Sequence, residues 1–272
     1  EEAPCSVLSS RQRMEMGQTA VRAAKAAGYI NAGTIEFLLE PSGTFYFMEM
    51  NTRIQVEHPI TEWITGIDLI KEQIRIAAGE KLTFSQKDIR INGHAIEVRI
   101  NAEKPEEDFR PCPGTITGLH LPGGKGIRID SAIYSGYKIP PFYDSMIAKI
   151  SVWAKTREEA IRKAQSALGE VIIEGVDTNV DYQYGILEEP DYRDGNVDIN
   201  FVFKDLSAKL PADRWRLIDG KWYYYKNYVK QTGWINDGQS WYYMNSDGTQ
   251  YKGWLLLDNS YYYLLPKTGQ MM

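Results

Sequence analysis

The spacing of apolar and polar residues predicts a different kind of element in each segment of the chain. An Ala-rich run that begins after Ser9 or Ser10 and stops at Gly28 predicts a helix. β-forming residues over 33–39 and 44–50, separated by the turn sequence Glu-Pro-Ser-Gly, predict a hairpin. The first fifth of the chain therefore mixes helix and strand.

The mixed pattern continues through most of the chain. Isoleucines at helical spacing predict a single helix over 61–79. Short β-rich runs alternate with Gly and Pro over 93–154, as in an antiparallel sheet or barrel. Thr156, with Glu159 three residues later, forms a capping-box pattern that opens a third helix. We assign this part of the chain to the α+β class.

The end of the chain is an internal aromatic repeat. Tryptophans recur at intervals of 19 and 20 residues, and each is followed seven residues later by another aromatic residue. Asp-Gly pairs at 219–220, 237–238 and 247–248 supply turn chemistry between these runs. The repeat predicts a small β-hairpin solenoid, built on the pairs Trp215 and Trp222, Trp234 and Trp241, and Trp254 and Tyr261.

Composition changes where the repeat begins. From Pro211 on there is no Glu, His or Cys, yet this stretch holds five of the seven Trp and ten of the 18 Tyr. We predict three units, 1–90, 91–208 and 213–272, with a boundary at 209–212. The net charge of −5 offers no basic stripe for nucleic acid, and no apolar run approaches the roughly 18 residues that cross a membrane.

Acidic residues occupy hairpin positions where a half-buried sheet favours apolar side chains. A turn that pairs Glu40 with Gly43 would place Glu36 opposite Phe47, with Glu49 as its diagonal neighbour. Asn51 follows one step along the same face. Two carboxylates and an amide are the all-oxygen ligands that a hard cation such as Mg²⁺ requires. A solvated sheet face is the alternative.

The segment after the hairpin is dense in chemically active side chains. Residues 51–59 contain one guanidinium, two amides, a carboxylate and an imidazole before a Pro. Arg53 is suited to holding a carboxylate or bicarbonate, and Glu57 to acting as a general base. We expect His58, which precedes Pro59, to make a structural hydrogen bond.

These segments resemble the biotin carboxylases, which are ATP-grasp enzymes serving acetyl-CoA carboxylase in fatty acid biosynthesis. The resemblance covers about 205 residues and is carried by Gly33–Phe37, Met48–Pro59, Gly93–Glu103, Pro140–Met146 and Glu174–Asn179. It implies the C-terminal half of an ATP-grasp domain over 1–90, then a biotin carboxylase C-terminal domain over 91–208.

The resemblance also implies a reaction and the residues that perform it. ATP and bicarbonate give carboxyphosphate, and its CO₂ passes to the ureido nitrogen of biotin on a biotin carboxyl carrier protein, with Mg²⁺ or Mn²⁺ beside ATP. The implied roles are metal and nucleotide binding by Glu36, Glu49 and Asn51, bicarbonate binding by Arg53, Gln55 and Val56, base catalysis by Glu57, and stabilisation of the biotin enolate by Arg99. Without the resemblance, Arg99 would be interpreted as an arginine on an exposed strand face. Tyr143 and Asp144 lie in a second matching motif.

Family members also have an N-terminal domain, a lid over the ATP phosphates and nucleotide-binding lysines, which these 272 residues do not contain. We therefore expect the chain alone to have little or no carboxylase activity. It shows no signal peptide, which favours the cytoplasm.

The aromatic repeat resembles the choline-binding repeats of Gram-positive surface proteins and their phages. That resemblance implies cages for the quaternary ammonium of choline on teichoic acids, and hence a cell-wall attachment protein as the alternative function. A second alternative is that the aromatic residues only fill a narrow core, and a third is an artificial fusion. The candidate choline residues are Trp215, Trp222, Trp234, Trp241, Tyr243 and Trp254.

Overall fold

A computed structural model describes the chain over residues 1–198, 201, 213–218, 221–226 and 229–272. The predicted boundary at 209–212 and the turn at 219–220 lie outside these residues. The helices in the described part are α1 (Ser10–Ala26), α2 (His58–Thr65), α3 (Leu69–Ala77), α4 (Arg157–Glu170), α5 (Val180–Glu188) and α6 (Pro190–Asp194), with 3-10 turns at Gln86–Asp88 and Pro105–Glu107.

The strands fall into two groups. Those before residue 200 are β1 (Glu2–Ala3), β2 (Thr34–Leu39), β3 (Phe45–Asn51), β4 (His94–Asn101), β5 (Glu103–Lys104), β6 (Arg110–Pro111), β7 (Gly118–His120), β8 (Ile127–Ser131), β9 (Met146–Ala154) and β10 (Ile172–Glu174). Those of the repeat are β11 (Asp213–Ile218), β12 (Lys221–Lys226), β13 (Val229–Lys230), β14 (Gly233–Asn236), β15 (Trp241–Met244), β16 (Gly253–Leu257) and β17 (Ser260–Leu264).

Helix α1 begins where the sequence predicted. The Ser9 side chain accepts from the backbone N–H of Gln12, and the Gln12 side chain accepts from the backbone of Ser9, which is a complete capping box. The helix ends at Ala26, Ala27 is its C-cap, and Gly28 follows with a positive φ of 65°, a conformation that glycine adopts without strain. Helix α4 likewise starts after Thr156, whose side chain accepts from the N–H of Glu159.

The prediction of one helix over 61–79 is wrong, because the structure has two. Helix α2 ends at Gly66, which adopts the left-handed conformation with φ of 72°. Asp68 then starts α3 as its N-cap, accepting from the N–H of Lys71 at 2.8 Å. The isoleucine spacing was helical on both sides of this break, so the pattern alone could not reveal it.

The largest sheet is antiparallel, with strand order β1-β4-β9-β8, as the 93–154 pattern predicted. One face packs against α4 and α5 and forms the main core, which includes Ile96, Val98, Ile100, Ile150, Val152, Ala160, Ala164 and Leu168. The other face packs Ala95 and Trp153 against Ile60 and Ile64 of α2, and it also carries Glu97, Arg99 and Lys149. The sheet therefore separates the hydrophobic core from the residues that contact the 52–57 loop.

Strand β1 is tied to this sheet by a buried ionic cluster. The Glu2 carboxylate accepts from Arg157 Nε at 2.7 Å and lies 3.0 Å from His94 Nε2. Burial alone would raise the pKa of Glu2, but the contacts with His94 and Arg157 hold that pKa at about 2. The cluster joins the start of the chain to β4 and α4.

The aromatic repeat forms consecutive antiparallel hairpins, β11–β12, β14–β15 and β16–β17, with β13 added to the first. Tyr224, Ile235, Tyr242 and Met244 are buried between the hairpins. The predicted hairpin stack is confirmed. Across the described residues, none of the helices has the length and apolar character needed to traverse a lipid bilayer.

Candidate functional site

The β2–β3 hairpin places its two acids directly opposite each other. Glu36 pairs with Glu49, so the prediction that Glu36 faces Phe47 is wrong. Two irregularities cause the difference. The Glu40 N–H bonds to the carbonyl of Thr44, beyond the predicted partner Gly43, and a bulge follows Glu36, after which Phe37 pairs with Phe47. Each shifts the register by one residue, and together they strengthen the predicted convergence of the carboxylates.

Amide groups bridge the two carboxylates. Asn51 Nδ2 donates to Glu36 Oε1 at 2.8 Å and to Glu49 Oε1 at 2.9 Å, and Gln55 Nε2 donates to Glu36 Oε1 at 2.9 Å. These bonds offset the repulsion between two like charges on facing strands. The predicted metal residues Glu36, Glu49 and Asn51 are therefore brought together.

Two carboxylates that converge in this way suit a hard divalent cation, and Asn51 would add its oxygen only after its amide group reverses, because Nδ2 now faces both acids. The described residues contain no group of three or more His, Cys, Asp or Glu side chains placed to hold a metal ion. A cation here would thus rest on two carboxylates and Asn51, with other ligands supplied by a nucleotide or water.

The loop before α2 is fixed through its backbone. The His58 N–H donates to the Gln55 carbonyl at 3.3 Å, and His58 Nδ1 lies 2.9 Å from the same oxygen. The next carbonyl, that of Val56, accepts from Lys149 Nζ. Arg53 is exposed and donates to the carbonyl of Ile54 at 3.2 Å. The loop therefore presents Arg53 to solvent while its C-terminal half is held in place.

Arg99 meets the predicted base. From β4 its Nη2 lies 3.0 Å from Glu57 Oε2 and 3.0 Å from Glu1 Oε1. Arg99 Nε is buried and has no partner within the described residues. The guanidinium is about 40 % exposed, so it retains access to a ligand. The Glu57 carboxylate and the Arg99 guanidinium thus lie together, where the loop meets α2 and the sheet.

Sequence reasoning missed two buried charges beside this pair. Glu97 is 2 % exposed, and burial raises its pKa to about 7, while Lys149 opposes this rise. Neither carboxylate oxygen of Glu97 has a hydrogen-bond partner in the described structure. A signal was available for Lys149, which is the single charged residue of β9.

Tyr143 and Asp144 lie apart from these groups. The Tyr143 side chain is 82 % exposed, and Asp144 Oδ1 accepts from the N–H of Met146 at 2.8 Å, which fixes the turn before β9. The contacts of Asp144 are those of a turn residue.

The aromatic pairs of the repeat share one geometry. Trp215 and Trp222 have ring centroids 6.4 Å apart at 88°, Trp234 and Trp241 lie 6.5 Å apart at 81°, and the third pair, Trp254 and Tyr261, lies 6.4 Å apart at 84°. In each pair at least one ring is strongly exposed. Each pair thus consists of two nearly perpendicular rings, of which at least one is exposed.

Other aromatic residues of the repeat are structural. Tyr242 is buried and lies 4.5 Å from Trp215 of the preceding hairpin, and Tyr262 lies 4.9 Å from Trp234. Trp215 Nε1 also donates to Asp237 Oδ2 at 3.1 Å, which joins two hairpins. Tyr243, a predicted choline residue, packs 5.3 Å from Trp234. Trp215 and Trp234 therefore pack against the next hairpin, while their pair partners Trp222 and Trp241 keep exposed rings.

Four family models match separate segments of the chain. Residues 1–85 match the Carbamoyl-phosphate synthase L chain, ATP binding domain, and residues 97–204 match the Biotin carboxylase C-terminal domain. Residues 213–227 match a Putative cell wall binding repeat, and residues 231–272 match a Choline-binding repeat.

Similar proteins are carboxylases. The chain is 55 % identical over 202 residues to biotin carboxylase of Nostoc sp., covering 74 % of this chain and 45 % of that protein. It is 52 % identical over 206 residues to biotin carboxylase of Haemophilus influenzae, covering 76 % and 46 %. The chain therefore spans less than half the length of these relatives.

Solved structures agree. The biotin carboxylase domain of Hydrogenobacter thermophilus 2-oxoglutarate carboxylase, in complex with MgADP, ADP and bicarbonate, superposes with a TM-score of 0.73 at 50 % identity, covering 75 % of this chain and 45 % of that one. Campylobacter jejuni biotin carboxylase in a β,γ-ATP complex gives 0.72 at 44 % identity, covering 75 % and 45 %.

Proposed function

Because residues 1–204 belong to the biotin carboxylase family and are followed by choline-binding repeats, we propose that the first part supplies the metal, bicarbonate and base side of a biotin-carboxylating site. The observation that carries this proposal is the Glu57–Arg99 ion pair on a loop whose Gln55 also donates to Glu36 of the carboxylate cluster. Biotin attached to a carboxyl carrier protein is the proposed acceptor, and the cytoplasm is the proposed compartment of this part.

The proposed chemistry follows from the charges. Arg53 is exposed and can turn from the Ile54 carbonyl to a bicarbonate, which Gln55 and the backbone of Val56 help to orient. Glu57 accepts the bicarbonate proton as its general base. Arg99, released from Glu57 as that carboxylate is protonated, stabilises negative charge that develops on biotin.

Glu36, Glu49 and Asn51 are the residues that would hold a divalent cation, Mg²⁺ or Mn²⁺. Such a cation supplies positive charge to the phosphates of ATP. The part of this chain in that chemistry is to fix the two carboxylates, which the Asn51 and Gln55 amides do in their present positions.

Bicarbonate titration monitored by amide NMR tests this proposal without requiring turnover. The expected result is a saturable shift of the amides of residues 53–58, abolished by Arg53→Met and absent with chloride at matched ionic strength. Arg22→Met, which removes an equally exposed arginine from α1, is the control and leaves the titration unchanged. A response outside this loop, or none, contradicts the proposal.

The aromatic repeat supports a second function, binding of a choline headgroup such as that of teichoic acid. Its support is the recurring perpendicular pair with an exposed π-face, since such faces attract quaternary ammonium ions. Retention on a quaternary amine resin with release by free choline is expected. Passage through the resin at low salt contradicts this function and leaves the carboxylase proposal untouched.

A further inference from the structure

A buried lysine contacts the backbone of the bicarbonate loop. Lys149 lies in the middle of β9, its side chain is only 12 % exposed, and its Nζ donates to the Val56 carbonyl. The same Nζ lies 3.5 Å from the Asp130 carboxylate on β8. The lysine thus reaches from the sheet to the loop 93 residues earlier in the sequence.

The position of Lys149 in the sheet relates it to the base. Lys149 and Arg99 are paired residues on the neighbouring strands β9 and β4. They hold consecutive loop residues, since Lys149 binds the carbonyl of Val56 and Arg99 binds the carboxylate of Glu57. One grips the main chain and the other the side chain. The position of Glu57 is therefore fixed both by the backbone carbonyl that precedes it and by its own carboxylate.

Burying an ammonium here carries a desolvation cost, which its contacts must offset. Asp130 supplies one opposite charge and is itself held by Arg128, whose Nε lies 2.9 Å from Asp130 Oδ1. Arg128 Nη1 also donates to Glu62 of α2 at 2.7 Å. The same network thus fixes helix α2, which begins immediately after Glu57, so loop and helix are aligned on one polar sheet face.

We propose that Lys149 is a positioning residue for bicarbonate use: through the Val56 carbonyl it sets the loop geometry in which Glu57 and the bicarbonate ligands Arg53 and Gln55 act together. This inference rests on the proposed bicarbonate site and extends it to a residue that does not touch the substrate. Lys149→Met removes the ammonium but keeps much of the aliphatic stem, whereas Lys149→Arg retains a charged donor.

The first measurement needs no ligand. Amide hydrogen exchange at His58 and Ile60, whose N–H groups bond to the carbonyls of Gln55 and Glu57, reports how firmly the loop is held. Lys149→Met is expected to accelerate exchange at both by about tenfold, the effect of losing one charge-assisted hydrogen bond. Lys149→Arg is expected to restore most of the protection.

Lys163→Met is the matched control, because Lys163 Nζ also donates to backbone carbonyls, those of Lys125 and Trp153, on the far side of the sheet. It is expected to leave exchange at His58 and Ile60 unchanged. Circular dichroism and the melting temperature of each variant establish that it is folded. Unchanged exchange in folded Lys149→Met overturns the proposal, whatever the chain does with bicarbonate.

The second measurement is the bicarbonate titration of wild type and the same three variants. Lys149→Met is expected to weaken bicarbonate binding by about tenfold, with recovery in Lys149→Arg and no effect in Lys163→Met. Equal affinity in Lys149→Met and wild type means that Lys149 is only structural. If wild type itself gives no bicarbonate response, the proposed function fails, and the exchange measurement still decides whether Lys149 holds the loop.

Discussion

The substitution Glu97→Gln provides a sharp test of the polar sheet face. Glu97 is almost fully buried on β4, two residues before Arg99, and both of its carboxylate oxygens lack partners in the described structure. Burial raises its pKa, so the folded chain favours the neutral acid. A glutamine at this position has nearly the same shape and is neutral at every pH.

The size of the effect follows from the pKa. A rise from the ordinary 4.5 to about 7 corresponds to about 3 kcal/mol, at about 1.4 kcal/mol for each pH unit. Between these two values the folded chain binds more protons than the unfolded chain, so wild-type stability falls as pH rises. Glu97→Gln lacks this loss. The free energy of unfolding of Glu97→Gln should therefore equal that of wild type near pH 4.5, exceed it by a growing amount up to pH 7, and exceed it by a constant amount at higher pH.

Urea unfolding followed by the helical circular dichroism signal measures the stability of the part that contains Glu97, because every helix in the described structure precedes residue 195. Glu103→Gln is the control. Glu103 is also buried, but Asn101 and Ser145 donate to its carboxylate, so its substitution removes an acceptor oxygen and should lower stability. A Glu97→Gln chain that is less stable than wild type at pH 8 would refute the reasoning, since it would mean that the buried carboxylate is ionised and paired.

Three further predictions follow from individual contacts. Glu2→Gln should reduce stability at neutral pH, because the ionised Glu2, whose pKa is about 2, stabilises the fold above pH 4.5 and loses this effect as pH falls toward 2. Calorimetry should show a smaller difference in melting temperature between variant and wild type at pH 3 than at pH 7. Asn51→Ala should lower stability by about 1–3 kcal/mol by leaving Glu36 and Glu49 opposed, and Mg²⁺ should recover more of the loss than Na⁺ in thermal unfolding. Trp241→Ala should lower the choline concentration that elutes the chain from an amine resin, whereas the exposed Phe142→Ala should not.

The sequence was most informative where local chemistry decides the structure. The Ser9 capping box and the seven-residue aromatic spacing each depend on neighbours in the chain, and both correspond to observed elements. The break at Gly66 was missed because helical spacing persists across it. The β2–β3 register was missed because neither the Glu40–Thr44 turn pairing nor the one-residue bulge after Glu36 leaves a mark in the sequence.

The site was predictable in its residues and only partly in its geometry. The pairing of Glu36 with Glu49 needed the register of the folded hairpin, and the contact of Arg99 with Glu57 joins positions 42 residues apart. Lys149 could have been noticed as the one charged residue between buried positions of β9. Its target, the Val56 carbonyl, is a backbone atom and leaves no trace in the sequence.

Binding of bicarbonate by residues 53–57, with Arg99 paired to Glu57, is the core of the proposed function. A crystal structure of the chain grown with Mg²⁺ and bicarbonate tests it most directly. The expected density is a planar anion within hydrogen-bond distance of Arg53, Gln55 and the backbone of Val56, with Glu57 beside it. A well-ordered loop in which Arg53 still donates to Ile54 and no anion is bound at saturating bicarbonate would contradict it.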